Sequence, residues 1–245
     1  MPASVVRLRV RLRCANGFAP GRHGLLLIVL SAAAAPCAGC AGWAPWKNSE
    51  QAERNREKYG PTANQRIKTI AEQAKAAKAA SVDRQAVFTQ ELIAKMLEEH
   101  DPRVRCAILE AAAGFDTPAA LAICRGALDD PNERVRMRAC AEWRNRGGEE
   151  AVKLLAARYR TDAELDVRLR ALRMLGDLQD KSAIPVLAKA LEDPDPAVQY
   201  RAVSSLKKVS GRDLGDDVNK WREWAADPNA TSSEWSVAET FRKLF

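Results

Sequence analysis

Asp101-Pro102-Arg103-Val104-Arg105-Cys106-Ala107-Ile108-Leu109 is a short phrase in a chain of 245 residues, and variants of it return three times. Asp130-Pro131 with Val135-Arg136, Leu165-Asp166-Val167-Arg168, and Asp195-Pro196-Ala197-Val198-Gln199 follow it, so that Val104, Val135, Val167 and Val198 stand 31, 32 and 31 residues apart. A fixed period of this length marks a repeat architecture. Four, five and eight residues beyond each valine lie Ile108, Leu109, Ala112; Ala139, Cys140, Trp143; Ala171, Leu172, Leu175; and Ala202, Val203, Leu206. That is one apolar face at helical period. A second face follows at Leu121, Cys124, Leu128; Val152, Leu155, Tyr159; and Ile184, Leu187, Leu191. Each repeat therefore reads as two short helices.

Local punctuation points to the same boundaries. Asp followed by Pro supplies a capping carboxylate just before a residue whose fixed φ suits the first helical turn. Gly114, Gly147, Gly176 and Gly211 fall between the first and second helix of each pair, where a chain leaving a helix commonly turns through positive φ.

From about Asp101 to Ala226 the pattern resembles the HEAT-like repeats typified by the phycobilisome lyase group. The resemblance implies an all-α fold, an α-solenoid of helical hairpins. It also implies a polar ladder in which the Asp and the Arg after Val stack from repeat to repeat. The matching residues are Asp101 with Arg105, Asp130 with Arg136, Asp166 with Arg168, and Asp195. Asp166-Val167-Arg168 lacks the proline and Gln199 replaces the last arginine, so the ladder should be weaker at those two places.

The array is expected to span residues 62–226. Val87, Ile93, Met96 and Leu97 fit a second helix before the first valine, and 64–80 reads either as its partner or as an independent Ala/Lys-rich helix. After Gly211-Arg212-Asp213-Leu214-Gly215, an insertion, come Val218, Trp221 and Trp224. Trp235, Val237, Phe241 and Phe245 suggest a helix over 227–245 that covers the exposed end of the core, as solenoids require.

The formal charge of +7 is unevenly spread. Arg7, Arg9, Arg11, Arg13 and Arg22 lie in the first 39 residues, where there are no acids; subtracting these 5 from 39 bases leaves 34 against 32 acids, or +2. A nearly neutral body offers little counterion-release energy, and no nucleic-acid partner is expected.

An Arg-rich start, an apolar stretch over 24–35 and small residues ending at Cys40 follow the order of an export signal. Cys37-Ala38-Gly39-Cys40 resembles a bacterial lipobox, with Cys37 where an aliphatic residue is usual. The resemblance implies cleavage before Cys40 and acylation of that residue, with 1–39 removed and 40–61 left as a polar tether. More than one acyl chain is needed for lasting attachment, a requirement a triacylated cysteine meets. The alternatives are an uncleaved signal anchor, since no charge appears between Gly24 and Trp46, and ordinary cleavage to a soluble product.

Little in the body has the composition of a catalytic centre. His100 is the only histidine besides His23 in the leader, which leaves no residues for His-based metal sites or a Ser-His-Asp triad, and no metal or cofactor is expected. Glu98-Glu99-His100-Asp101 lies where a helix should end, a favourable place for a basic ring. Cys106, Cys124 and Cys140 occupy positions held by Met, Leu, Val or Tyr in sister repeats, so packing explains them better than a disulfide. From Arg134 to Arg173 there are 11 bases against 6 acids, read as ladder positions and solvated faces, with an anionic lipid or an acidic protein partner as the alternative. The reading is a membrane-tethered scaffold that binds an unidentified protein in the bacterial envelope. A chromophore-lyase-like accessory enzyme and a structural subunit of an envelope complex are the alternatives.

Overall fold

The computed structural model describes residues 45–228, with side chains from residue 49. Contacts divide the chain into Met1–Gln51 and Ala52–Phe245. The segment read as an export signal, with Cys40 and its neighbours, lies outside the described residues, as do the aromatic residues from Trp235 to Phe245 assigned to a covering helix. The segment read as a tether carries a helix, α1 (Pro45–Tyr59). Its described side chains, Ser49 to Tyr59, are all exposed.

Five antiparallel hairpins follow: α2 (Ala63–Lys78) with α3 (Val82–Glu98), α4 (Pro102–Ala113) with α5 (Pro118–Gly126), α6 (Glu133–Arg146) with α7 (Gly148–Thr161), α8 (Leu165–Leu178) with α9 (Ile184–Ala190), and α10 (Pro196–Ser210) with α11 (Val218–Ala226). No strand occurs among the described residues. The fold is an all-α solenoid. The first helices pack in series, α2 on α4, α4 on α6, α6 on α8 and α8 on α10, whereas α5 and α7 in the second row scarcely meet. Residues 64–80, open to two readings in the sequence, form the first helix of a hairpin preceding the first repeat valine.

The valine positions explain why these segments pair. Val104, Val135, Val167 and Val198 are all within 1% of full burial, and the residues four, five and eight further on are buried without exception. Each Val, Leu or Ile of this stripe removed from water contributes about 1.5–3 kcal/mol, and the alanines among them let the helices approach. Trp143 fills the space that Leu or Ala takes in sister repeats, and its indole N–H donates to the Cys124 carbonyl at 2.9 Å, so the larger ring is buried with its polar atom satisfied. In α3 the inward face is Phe88, Thr89 and Leu92. Val87 and Leu97, assigned to that face from spacing, are 59% and 80% exposed instead.

Two expectations about helix ends are corrected. Asp130-Pro131 does not cap α6: the cap is Asn132, whose side chain accepts from the Arg134 amide at 3.0 Å. Gly114 has φ −75°, and Gly176 lies inside α8, where the left-handed turn falls to Gln179 at φ 55°. Gly176 is needed for a different reason. A Cβ there would stand 2.7 Å from the Ser205 Cβ and 2.8 Å from its Cα, so the absent side chain is what lets α8 and α10 approach. Only Gly147 and Gly211 of the four make the positive-φ exit.

Candidate functional site

A column of arginine–carboxylate pairs runs along the helix starts. Arg105 donates from Nε and Nη2 to both oxygens of Asp130, each at 2.8 Å, and its Nη1 reaches the carbonyls of Glu99 and His100. Arg136 repeats every part of this: Nε and Nη2 to Asp162 at 2.8 and 2.9 Å, Nη1 to the carbonyls of Asp130 and Pro131. Arg66 pairs in the same forked way with Glu99 at 2.9 and 3.0 Å. Each arginine therefore ties the loop entering its own helix to the acid of the following repeat. Two parallel N–H donors onto one carboxylate fix direction as well as distance.

The acids of this column stand two residues upstream of the helix caps. Glu99, Asp130, Asp162 and Asp193 accept from the backbone amides of Asp101, Asn132, Glu164 and Asp195 at 2.8, 2.8, 3.0 and 3.0 Å. Of the residues the family resemblance had matched, Arg105, Asp130 and Arg136 lie in the column, but in a different pairing. Asp101 and Asp195 are caps, accepting from the amides of Arg103 and Ala197. Hydrogen bonds from the side chain and amide of Arg103 hold Asp101 at about 2. Asp166 is an exposed residue in the first turn of α8.

Two joints depart from the pattern. The Nε of Arg168 is buried with no hydrogen-bond partner, and Asp193 instead receives the Tyr159 hydroxyl at 3.4 Å. Gln199 keeps only the inner bond, its amide donating to the Asp193 carbonyl at 2.7 Å. These are the two places where the sequence departs from the repeat phrase.

A family model for HEAT repeats matches residues 89–169 and 158–231, which together take in most of the hairpins just described. The chain belongs to the HEAT-repeat family. No match was found among curated proteins.

Within this HEAT-repeat protein the chemistry-bearing side chains have structural surroundings. Cys106, Cys124 and Cys140 are free thiols, the last two buried. Burial pushes all three thiols up, and Cys140 furthest, to about 12. A thiol held protonated in this way is a poor nucleophile. His100 is exposed, and its carbonyl is taken by Arg105. Among the described residues no group of three His, Cys, Asp or Glu could hold a metal ion. No helix of the described residues is long and apolar enough to cross a membrane.

The HEAT array offers two faces to a partner. An apolar groove of about 460 Å³ opens between α3 and α5, lined by Ile93, Met96, Leu97, Ile123 and Ala127, with the Arg105–Asp130 pair at its end. The second face is the outer side of the first-helix row, where Arg138, Arg170 and Arg201 occupy equivalent positions three residues beyond the repeat valines. Sequence reading missed Arg66, Glu99, Asp162 and Asp193. The recoverable signal was an acid two residues before each cap, spaced 31, 32 and 31 from Glu99 onward.

Proposed function

We propose that this HEAT-repeat protein is a lipid-anchored scaffold of the bacterial cell envelope, holding a protein partner on its stacked helices without catalysing a reaction. The observation that carries the reading is the continuous hairpin array, which follows a segment with the order of an export signal ending in Cys40. Solenoids of this kind expose extended helical surfaces far larger than a small-molecule pocket. Arg66, Arg105 and Arg136 with their acids, and the Trp143 indole, are engaged in joining hairpins, and burial holds the thiols protonated, which supports binding over chemistry. A helix over 45–59 before the array, exposed from Ser49 to Tyr59, suits a spacer that keeps the solenoid clear of the bilayer.

The test is intact mass with membrane fractionation of the full chain expressed in a bacterial host, beside a Cys40→Ser variant. Cleavage before Cys40, added acyl mass, and loss of both in the variant are the expected results. An unprocessed chain in the cytosol would overturn the anchored reading, and an unprocessed chain in the membrane would replace it with a signal anchor.

A further inference from the structure

The outer side of the first-helix row carries arginines whose counter-charges run out along the array. Arg138 of α6 reaches back to Glu110 of α4 at 3.0 Å and also to Glu142 at 2.9 Å. Three past the valine on one helix thus abuts six past the valine on the helix before. The same register sets Arg170 of α8 beside Ala141 and Arg201 of α10 beside Arg173, so the acid is missing at one joint and replaced by a like charge at the next. Arg173 itself has only Asp177, at 3.8 Å, which Lys208 holds at 2.6 Å. Arg170 and Arg201 form no ion pair among the described residues, and the Nε of each is buried without an acceptor. Their stems are laid down against the helices, and the terminal nitrogens are left to find acceptors from outside. Beside them, two past each valine, run Met137, Leu169 and Tyr200, half-buried at first and 62% exposed at Tyr200.

We propose that this strip, from Arg138 to Arg201, binds an acidic segment of the partner protein in extended form, laid across α6, α8 and α10. The proposal rests on the scaffold reading above and gives the partner its chemistry. Neighbouring packed helices lie about 8–10 Å apart, and an extended chain rises about 3.3 Å per residue. An acid at every third residue of the segment therefore meets successive arginines, and the residues between face the Met137–Leu169–Tyr200 edge. Arginine and tyrosine are the residue types that concentrate binding energy at interfaces. A flat anionic membrane fits less well, because the carboxylates of Glu110 and Asp177 share the strip and would be brought up to its phosphates. A nucleic acid would meet the same acids and too few uncompensated bases for counterion release to drive it.

The test uses the full chain, purified in detergent, and a labelled peptide with glutamate at every third position, read by fluorescence anisotropy from micromolar to millimolar concentrations. A peptide of equal composition with its glutamates in one block, vesicles containing an anionic phospholipid, and a single-stranded oligonucleotide serve as competitors. Expected is saturable binding to the spaced peptide, weakened at least about tenfold in the Arg170→Gln/Arg201→Gln variant and within about twofold in an Arg134→Gln/Arg160→Gln variant of equal charge. Neither Arg170 nor Arg201 bonds within the described chain, so the first variant should melt with the parent, and that melt, measured alongside, separates a loss of binding from a loss of fold. No binding of the spaced peptide, equal affinity for the blocked peptide, equal weakening in both variants, or displacement by vesicles or oligonucleotide in preference to peptide would each overturn the proposal. Acylation of Cys40 is read separately, so the strip can fail while the anchored scaffold stands.

Discussion

Arg136 and Asp162 lie 26 residues apart in sequence and face each other across a joint between hairpins, two parallel hydrogen bonds at 2.8 and 2.9 Å linking side chains that are 13% and 1% exposed. Asp162 also accepts from Arg158 at 3.1 Å and from the Glu164 amide, so its carboxylate is met from three directions. Removing one partner of such a pair leaves the other buried without compensation, a loss of about 3–5 kcal/mol. Asp162→Ala should therefore lower the unfolding free energy by that amount in urea denaturation followed by circular dichroism. A change below about 1 kcal/mol would mean that the rung is not a structural tie.

The same carboxylate sets an acid limit. Burial alone would raise Asp162, but hydrogen bonds from Arg136, the Glu164 amide and Arg158 outweigh it and carry the group below its ordinary value. A folded value lower than the unfolded one contributes stability above the unfolded value, about 3.9, and that contribution fades as pH falls from there through the folded value. Melting temperature should drop on acidification below about pH 4, and the drop should be shallower in Asp162→Asn. Equal slopes in the two proteins would assign the acid sensitivity to other groups.

Gly176→Ala should destabilise although alanine is the better helix former. The new methyl would meet Ser205 at 2.7 Å, and Ser205 is fixed by its own hydrogen bond to the Leu172 carbonyl at 2.9 Å. Overpacking of this sort costs about 1–3 kcal/mol, more than the roughly 0.5–1 kcal/mol that glycine sacrifices in a helix. Because the Ser205 Cα is itself 2.8 Å away, Ser205→Gly should restore only part of the loss. A gain in stability on Gly176→Ala would show that α8 and α10 can move apart freely.

Alkylation of the native protein should modify Cys106 first, with Cys124 and Cys140 following only on unfolding. Cys106 is half-buried while the other two are covered, and Cys140 is pushed up to about 12. Peptide mass mapping of iodoacetamide-treated protein, with and without denaturant, checks the order. Fast native labelling at Cys140 would contradict the packing of α6.

Asn132→Ala should cost about 1 kcal/mol, since the amide of Arg134 loses its side-chain acceptor. Asp166→Ala should leave the melting temperature unchanged, because Asp166 is exposed and belongs to no rung. A large effect at Asp166 would restore it to the ladder.

The hairpins were legible in the sequence because burial enforces periodicity: every residue four, five and eight past a repeat valine is inside. The ladder was only half legible, for a reason visible in two proline phrases. At Asp101-Pro102 the aspartate is a cap, whereas at Asp130-Pro131 it is a rung and Asn132 takes the cap. The same dipeptide serves two geometries two residues apart, and counting from the valines separates them. Gly176 was misread because composition does not distinguish a glycine that turns the chain from one that makes room for a neighbour. For α3, spacing gave a helix and placed Ile93 and Met96 against the core, but it took Val87 and Leu97 with them and passed over Thr89, which is buried with a 2.7 Å hydrogen bond to Thr117, the cap of α5, a contact local sequence does not reveal. The outer arginines stood out only as a surplus of charge. Their missing acids appear once the register between α4 and α6 is known.

Gln199 gives the row of rungs a direction and an end. Arg66, Arg105 and Arg136 each place a positive charge on the side facing the next hairpin, to be met by an acid there, whereas Gln199 offers a neutral amide spent on a carbonyl behind it. A further repeat, or a second molecule, brought up against that side would find no guanidinium waiting for its carboxylate. A joint made there would lack the forked bond, as the joint between α8 and α10 already does.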